Sequence, residues 1–98
     1  MWMDTAVEAL EKGCVLELRY SGFSRWVEVH TAGTLTTNHP GMRVWQVRGG
    51  SVSNEPVGWK LMRLDEAFSA HVTDEPSAAP RPRYKRGDPA FSVIRAQI

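Results

Sequence analysis

The hydrophobic residues near the start of the chain recur at the spacing of an α-helix. One apolar stripe falls at three- and four-residue intervals, at Met3, Ala6, Val7 and Leu10, which is typical of a helix with one buried face. Thr5 and Glu8 fit a capping box, and Gly13 is a natural left-handed stop. The pattern predicts a helix of about two turns that needs packing against the rest of the domain.

From Cys14 onward the hydrophobic spacing changes to two, which is typical of half-buried β-strands. Gly33 is expected to bend the second and longest strand, and the Asn-His-Pro-Gly sequence at residues 38–41 predicts a turn. The predicted strands cover residues 14–20, 25–37, 42–48, 59–64 and 68–72. Five short strands predict a mainly β fold that closes into a small barrel, since closure removes exposed strand edges.

The last quarter of the chain has a different composition. Residues 74–82 are rich in Pro, Ala and charge, and predict a linker with too little apolar content to order itself. Residues 83–98 form a basic tail whose end is apolar and β-branched again. We expect a terminal strand there that pairs with the barrel of residues 1–73 or with a second copy of the chain.

Length and composition narrow the class of protein. Ninety-eight residues support one core, and no apolar run approaches the roughly 18 residues that span a bilayer. The first residues lack the basic and apolar regions of a signal peptide, and the single cysteine, Cys14, cannot form an internal disulfide. We therefore expect a cytoplasmic protein with no membrane partner.

Charge is distributed unevenly along the chain. Residues 1–75 hold seven Lys and Arg against ten Asp and Glu, whereas residues 76–98 hold five against one. A basic segment attracts phosphates through counterion release. The alternative is a solvated linker face with no ligand.

Four short motifs, in this order, resemble those of the WYL domain, a bacterial ligand-sensing module. They are Leu18-Arg19-Tyr20, Arg25-Trp26-Val27-Glu28-Val29-His30, Trp45-Gln46-Val47 and Met62-Arg63-Leu64-Asp65-Glu66-Ala67. The resemblance covers residues 5–73 and implies an SH3-like or Sm-like barrel. It also implies that an exposed barrel face binds nucleotides or single-stranded nucleic acid. Such domains usually follow a DNA-binding winged helix, for which this chain has no room, so we expect a freestanding version, a partner of another protein, or a fragment.

Strand alternation points to the same face. Trp26, Glu28 and His30 fall on one side of the second strand, as a predicted row of one aromatic, one acceptor and one titratable donor. Arg43 lies beside Trp45 in the third strand, and an aromatic flanked by arginines can stack a base while pairing its phosphate. The alternative is that the tryptophans fill a small core.

Two further arginines are candidate phosphate ligands with an ordinary structural alternative. Arg25 and Arg63 could each grip a phosphate through a bidentate fork. Arg63, however, lies close in sequence to Asp65 and Glu66, and Arg25 lies near Glu28, so ion pairing competes with ligand binding.

The residues argue against an enzyme, a metal site or a cofactor. Cys14 and His30 could act as nucleophile and base, but no orienting third group or oxyanion loop accompanies them. The Cys and His residues also lack the paired spacing of metal ligands. We therefore expect no catalysis, no metal and no cofactor.

Two hypotheses follow. The first is a regulatory module that binds a nucleotide or short single-stranded nucleic acid through Arg25, Trp26, His30, Arg43 and Arg63. The second is a protein-interaction module that forms a homodimer, or docks on a partner protein, through its barrel edge and C-terminal strand.

Overall fold

Helix α1 spans Met3–Lys12, and six antiparallel strands follow it. The computed structural model describes residues 2–98, so Met1, the first residue of the predicted barrel domain, lies outside the described residues. The strands are β1 (Cys14–Tyr20), β2 (Phe23–Leu35), β3 (Pro40–Gly49), β4 (Gly58–Arg63), β5 (Ala67–Pro76) and β6 (Phe91–Gln97). A 3₁₀ turn, Leu64–Glu66, joins β4 to β5. The mainly β class and the helix are confirmed, with six strands where the predicted barrel has five.

Helix α1 begins earlier than the capping box predicts. Thr5 lies inside the helix, and Trp2 occupies the N-cap position without a side-chain capping bond. The Trp2 indole Nε1 instead donates to the Ala67 carbonyl at 3.0 Å, which ties the helix start to the sheet. Gly13 ends the helix with φ 66°, as predicted, and its N–H donates to the Leu10 carbonyl.

Strand β2 is long enough to hold two strands on one edge. It pairs with β3 along most of its length, while its other edge pairs first with β1 and then with β6. Gly33 lies where β6 comes closest, because a Cβ there would be 2.1 Å from the Val93 carbonyl oxygen. The sheet follows the order β4-β3-β2-β1-β5, and no pairing between β4 and β5 closes it within residues 2–98.

The two faces of the sheet are covered differently. The inner face packs against α1 and contains the apolar core. Its fully buried members include Ala6, Leu16, Val27, Val44 and Met62. Burial of these side chains is the main favourable contribution to folding.

The outer face is covered by a segment that the sequence predicts as an unordered linker and basic tail. Residues 74–76 complete β5, and residues 77–90, the covering segment, lie over the outer face before the chain enters β6. The terminal strand pairs in cis, with β2 of the same chain. Polar bonds to the sheet supply the order that the segment's low apolar content does not.

Candidate functional site

The outer face presents a polar and aromatic row beneath the covering segment. Glu28 on β2, Trp45 on β3 and Trp59 on β4 are neighbours in the strand register. The Trp45 and Trp59 rings meet edge to face, with centroids 5.5 Å apart. The alternative prediction placed the tryptophans in the apolar core. Trp45 and Trp59 instead pack on the opposite, outer face of the sheet.

Glu28 binds the covering segment through a fork of charged hydrogen bonds. The Arg81 Nε donates to its Oε1 at 2.7 Å, Arg81 Nη2 donates to Oε2 at 3.2 Å, and the Ala78 N–H donates to Oε2 at 2.6 Å. The Arg81 guanidinium also lies 5.5 Å from the centre of the Trp45 ring. Glu28 is only 2% exposed, so this carboxylate is available to the segment and not to solvent.

His30 forms the second attachment of the covering segment. A register shift between Val29 and Thr31 places His30 in a bulge of β2. Its Nε2 accepts the Arg81 N–H at 3.0 Å, so the ring proton is on Nδ1, which donates to the Glu28 carbonyl at 2.9 Å. His30 is thus a neutral imidazole with 0% exposure.

The pKa of His30 is lowered from its usual value. Burial is the main cause, and the nearby Arg81 charge adds to it, while the Glu28 carbonyl and carboxylate oppose it. Protonation would also place a donor on Nε2 where the Arg81 N–H already donates. Acid therefore acts against the contact between the sheet and the covering segment.

A cleft of about 350 Å³ opens beside this row, between the strands and the covering segment. Its walls carry two aromatic rings, three cations, one carboxylate and one proline: Trp59, Tyr84, Arg43, Arg83, Lys85, Asp88 and Pro89. The Trp59 indole Nε1 donates to the Pro82 carbonyl at 3.1 Å, and the Trp59 and Tyr84 rings both lie against His30. The buried His30 ring and the bond to Pro82 therefore hold the aromatic wall of the cleft in place.

The charged side chains of the cleft are in two different states. Arg43 forms a fork with Asp88, with Nε to Oδ2 at 2.7 Å and Nη2 to Oδ1 at 3.3 Å. Arg83 and Lys85 are exposed and form no ion pair with any of residues 2–98. Arg83 also has φ 70°, in the left-handed region that costs a non-glycine residue about 1–2 kcal/mol.

Asp88 is ionised despite its burial. Burial by itself raises the pKa of this carboxyl, but hydrogen bonds from Arg43 and from the Ala90 N–H outweigh it and hold the pKa below the usual value. The cleft at neutral pH therefore presents three cations and one carboxylate.

Of the five predicted ligand-binding residues, the cleft wall contains only Arg43. His30 lies behind the wall and is covered, so the predicted exposed row of Trp26, Glu28 and His30 is wrong as a solvent-facing surface. Trp26 is half-buried beneath the Arg48 guanidinium, 4.9 Å from its ring centre, and is outside the cleft.

Arg25 and Arg63 are engaged elsewhere. Arg25 is 4% exposed, and its guanidinium donates to the Tyr20 carbonyl and to the Gln46 side chain. Burial lowers its pKa. Arg63 forms a fork with Asp65 at 2.7 and 3.1 Å, and the hydrogen bond raises the pKa of Arg63. The ion-pair alternative describes Arg63, whereas the predicted partner Glu28 of Arg25 binds Arg81 instead.

Besides Trp59, five residues of the cleft wall are outside the predicted ligand set, all in the covering segment. They are Arg83, Tyr84, Lys85, Asp88 and Pro89. The available signal is the excess of basic charge after residue 76, which predicts either a phosphate-attracting segment or a solvated linker face and does not place the segment against the sheet. No local pattern indicates that this segment folds back.

Metal-binding and thiol chemistry have little geometric basis in the described part of the chain. Among residues 2–98, no group of three or more His, Cys, Asp or Glu side chains is placed to hold a metal ion. The Cys14 thiol lies 3.7 Å from the Lys12 carbonyl oxygen, and the His30 Nε2 is occupied by the Arg81 N–H. Over the same residues, no helix has both the length and the apolar character to cross a membrane.

Comparison of the sequence with protein-family models gave no match, and comparisons with curated proteins and with solved structures gave none either. The candidate site is therefore defined by the geometry of the cleft.

Proposed function

We propose that this chain is a non-enzymatic regulatory module that binds a nucleotide or a short single-stranded nucleic acid in the cleft. The observation that carries the proposal is the composition of one cavity of about 350 Å³. Two aromatic rings and three cations line it, against a single carboxylate. Aromatic rings stack on bases and cations pair with phosphates, so the walls match both halves of a nucleotide.

Each wall has a separate role in this proposal. Trp59 and Tyr84 supply the rings on which a base stacks, with about 1–3 kcal/mol per stacked base. Arg83 and Lys85 supply cations without an ion-pair partner among residues 2–98, and these attract the phosphate. Regulation would follow from the covering segment, which forms one wall and is continuous with β6.

We also propose that the chain is a WYL-like domain with an SH3-like or Sm-like type of barrel. Support comes from the 3₁₀ turn, which joins β4 and β5, the two ends of the sheet path. A flat five-stranded sheet would hold its end strands about 19 Å apart, whereas a three-residue connection spans at most about 14 Å. The sheet is therefore not flat, and its curvature supports the proposed barrel type, although β4 and β5 do not pair.

The proposal is tested with labelled eight-nucleotide single-stranded DNA and RNA and with mononucleotides. Binding is followed by anisotropy and tryptophan fluorescence at several salt concentrations. We expect the double variant Arg83→Ala/Lys85→Ala to bind the oligonucleotides about tenfold more weakly. The slope of log affinity against log salt should become shallower by about 1.4, which corresponds to two lost phosphate contacts on a single strand.

A matched control removes the same charge outside the cleft. Lys12 and Arg19 are both exposed and do not line the cavity, so the double variant Lys12→Ala/Arg19→Ala should bind as the wild type does. Equal weakening in both double variants would reduce the effect to net charge. Absence of binding to every nucleotide and oligonucleotide by the wild type would contradict the proposed function.

The second candidate function is a protein-interaction module, favoured by the free edges of the sheet. Strands β4 and β5 end the sheet path, and Phe68 on β5 is 85% exposed. Such an edge can pair with another chain. Because β6 pairs in cis, this candidate rests on β4 and β5. Light scattering of the wild type and of Phe68→Ser tests it, since an unchanged monomer in both cases would exclude self-association.

A further inference from the structure

One of the three cations of the cleft is already paired with a carboxylate from the same chain. Among residues 2–98, Asp88 is the one acidic residue that lines the cavity, and it is only 7% exposed. Arg43 holds it through two N–H groups, and the Ala90 N–H donates to the same carboxylate at 2.9 Å. An arginine fork binds carboxylate and phosphate in the same planar geometry. Asp88 therefore takes the place on Arg43 that a ligand phosphate would take.

The other two cations differ from Arg43. Arg83 and Lys85 are exposed at the cleft and have no ion-pair partner among residues 2–98. An incoming phosphate thus meets two available cations and a third that is held by a carboxylate. Asp88 places a negative charge in the region where the phosphate would approach, and like charges at close range are unfavourable.

The size of the cleft limits the ligand. Its volume of about 350 Å³ lies at the lower end of the roughly 300–1,000 Å³ range of small-molecule pockets. A cavity of this size suits one nucleotide, whereas an oligonucleotide would extend beyond its walls.

We infer that the cleft is a mononucleotide site in which Asp88 and the ligand phosphate compete for Arg43. The inference rests on the proposed function and names both its ligand class and a specificity-determining residue. Binding transfers the Arg43 fork from carboxylate to phosphate, and no covalent bond changes. Asp88 lowers the affinity for the phosphate and leaves stacking of the base on Trp59 and Tyr84 unaffected.

The test compares the wild type with Asp88→Asn. The probes are the four 5′-monophosphates, the nucleoside of the tightest one, inorganic phosphate and an eight-nucleotide single strand. Asparagine keeps the shape of the side chain and an acceptor for the Ala90 N–H but removes the charge. We expect the tightest monophosphate to gain about tenfold in affinity, with the affinity for its nucleoside unchanged. The inference would be overturned if Asp88→Asn bound the monophosphate with the same affinity as the wild type does. A gain in affinity for the nucleoside equal to that for the monophosphate would also overturn it.

A second arginine fork supplies the matched control. Asp65 is bound by Arg63 in the same bidentate manner but does not line the cleft. The variant Asp65→Asn makes the same change of net charge, and we expect it to leave both affinities within about twofold of the wild type. A gain equal to that of Asp88→Asn would assign the effect to net charge and overturn the inference.

A measurement on the wild type keeps the inference testable if Asp88→Asn fails to fold. The side-chain Nε–Hε signal of Arg43 should shift in NMR spectra on saturation with the monophosphate and not with the nucleoside. An unmoved signal at saturation would overturn the inference.

The outcomes also separate the inference from the proposed function. A wild type that binds the oligonucleotide but no mononucleotide would overturn the inference and leave the proposed function standing. A wild type that binds none of the probes would overturn both.

Discussion

The two faces of the sheet are both covered, but by opposite kinds of chemistry. On the inner face, helix α1 packs on aliphatic side chains such as Leu16 and Val44. On the outer face, the covering segment is held by the Glu28–Arg81 fork, the His30 bond and the Arg43–Asp88 fork. The stabilisation from buried apolar side chains does not depend on pH, because these side chains carry no titratable charge. The stabilisation from paired polar groups depends on their protonation and on the presence of both partners. The inner face therefore maintains the fold, whereas the attachment of the outer face depends on pH and on the presence of each ion-pair partner.

The largest expected effect comes from breaking the inner face. Leu16→Ala removes a fully buried side chain that lies between Val27 and Val72 in the strand register. The free energy of unfolding should fall by roughly 2–5 kcal/mol, with the same loss at pH 7 and pH 5. Urea unfolding measures it, and Val93→Ala, at an exposed position, is the control with a change below about 0.5 kcal/mol. A loss confined to one pH would contradict the comparison.

Breaking the outer face should have an asymmetric effect. Arg81→Ala leaves the buried Glu28 carboxylate with one remaining donor, the Ala78 N–H, whereas Glu28→Gln leaves an arginine whose side chain is 30% exposed and can turn to solvent. We expect Arg81→Ala to cost about 3 kcal/mol and Glu28→Gln about 1 kcal/mol. Urea unfolding gives these values, and hydrogen exchange should show faster opening of residues 77–90 than of β1. A larger loss of stability in Glu28→Gln than in Arg81→Ala would show that the buried Glu28 carboxylate does not depend on its partner more than Arg81 does.

The pH dependence sharpens the comparison further. The lowered pKa of His30 means that the unfolded chain takes up a proton first as the pH falls below the usual value of about 6.5. Stability supplied by neutral His30 is therefore present above that pH. It declines as the pH falls toward the folded pKa, with a slope of at most about 1.4 kcal/mol per pH unit.

Urea unfolding between pH 7.5 and 5 measures this decline. The variant His30→Gln should flatten the profile, and His71→Gln, at an exposed position on β5, should leave it as in the wild type. If the free energy of unfolding of the wild type stayed constant over this range, His30 would not be the cause of a pH-dependent attachment of the covering segment.

The smallest effect is expected at Arg63. Its fork with Asp65 is at the surface and outside the cleft, and exposed ion pairs contribute little. Arg63→Ala should therefore shift neither the urea midpoint nor the mononucleotide affinity by a resolvable amount. A loss of affinity would return Arg63 to the set of ligand-binding residues predicted from the sequence.

The predicted elements agree with the structure where local periodicity decides. The helix stop at Gly13 and the long second strand lie close to their predicted places. The turn predicted at residues 38–41 instead falls at residues 36–39, with the positive φ at Asn38, because Pro40 and Gly41 already pair with β2 as the first residues of β3. The start of α1 differs because the Trp2 indole bonds to Ala67, 65 residues away, and no local capping signal records that contact.

The candidate site was less accessible to sequence reasoning. Alternation placed Glu28 and His30 on the face opposite the apolar core, but it does not reveal what covers that face. Arg43 was identified from its neighbouring tryptophan, while Arg83 and Lys85 were recognised only as part of a basic tail. The low apolar content of residues 74–82 predicted disorder because composition does not register a specific ion pair such as Glu28–Arg81.

The sequence by itself determined the mainly β class, the single helix, most strand positions and the basic character of the C-terminal segment, because spacing, turn residues and charge are local properties. Only the tertiary structure decided which face the C-terminal segment covers, which predicted ligands are buried and where the cleft lies. Those features depend on the Glu28–Arg81 and Arg43–Asp88 pairs, whose partners are 53 and 45 residues apart. Such pairs form because folding brings the side chains together, and no local pattern specifies them.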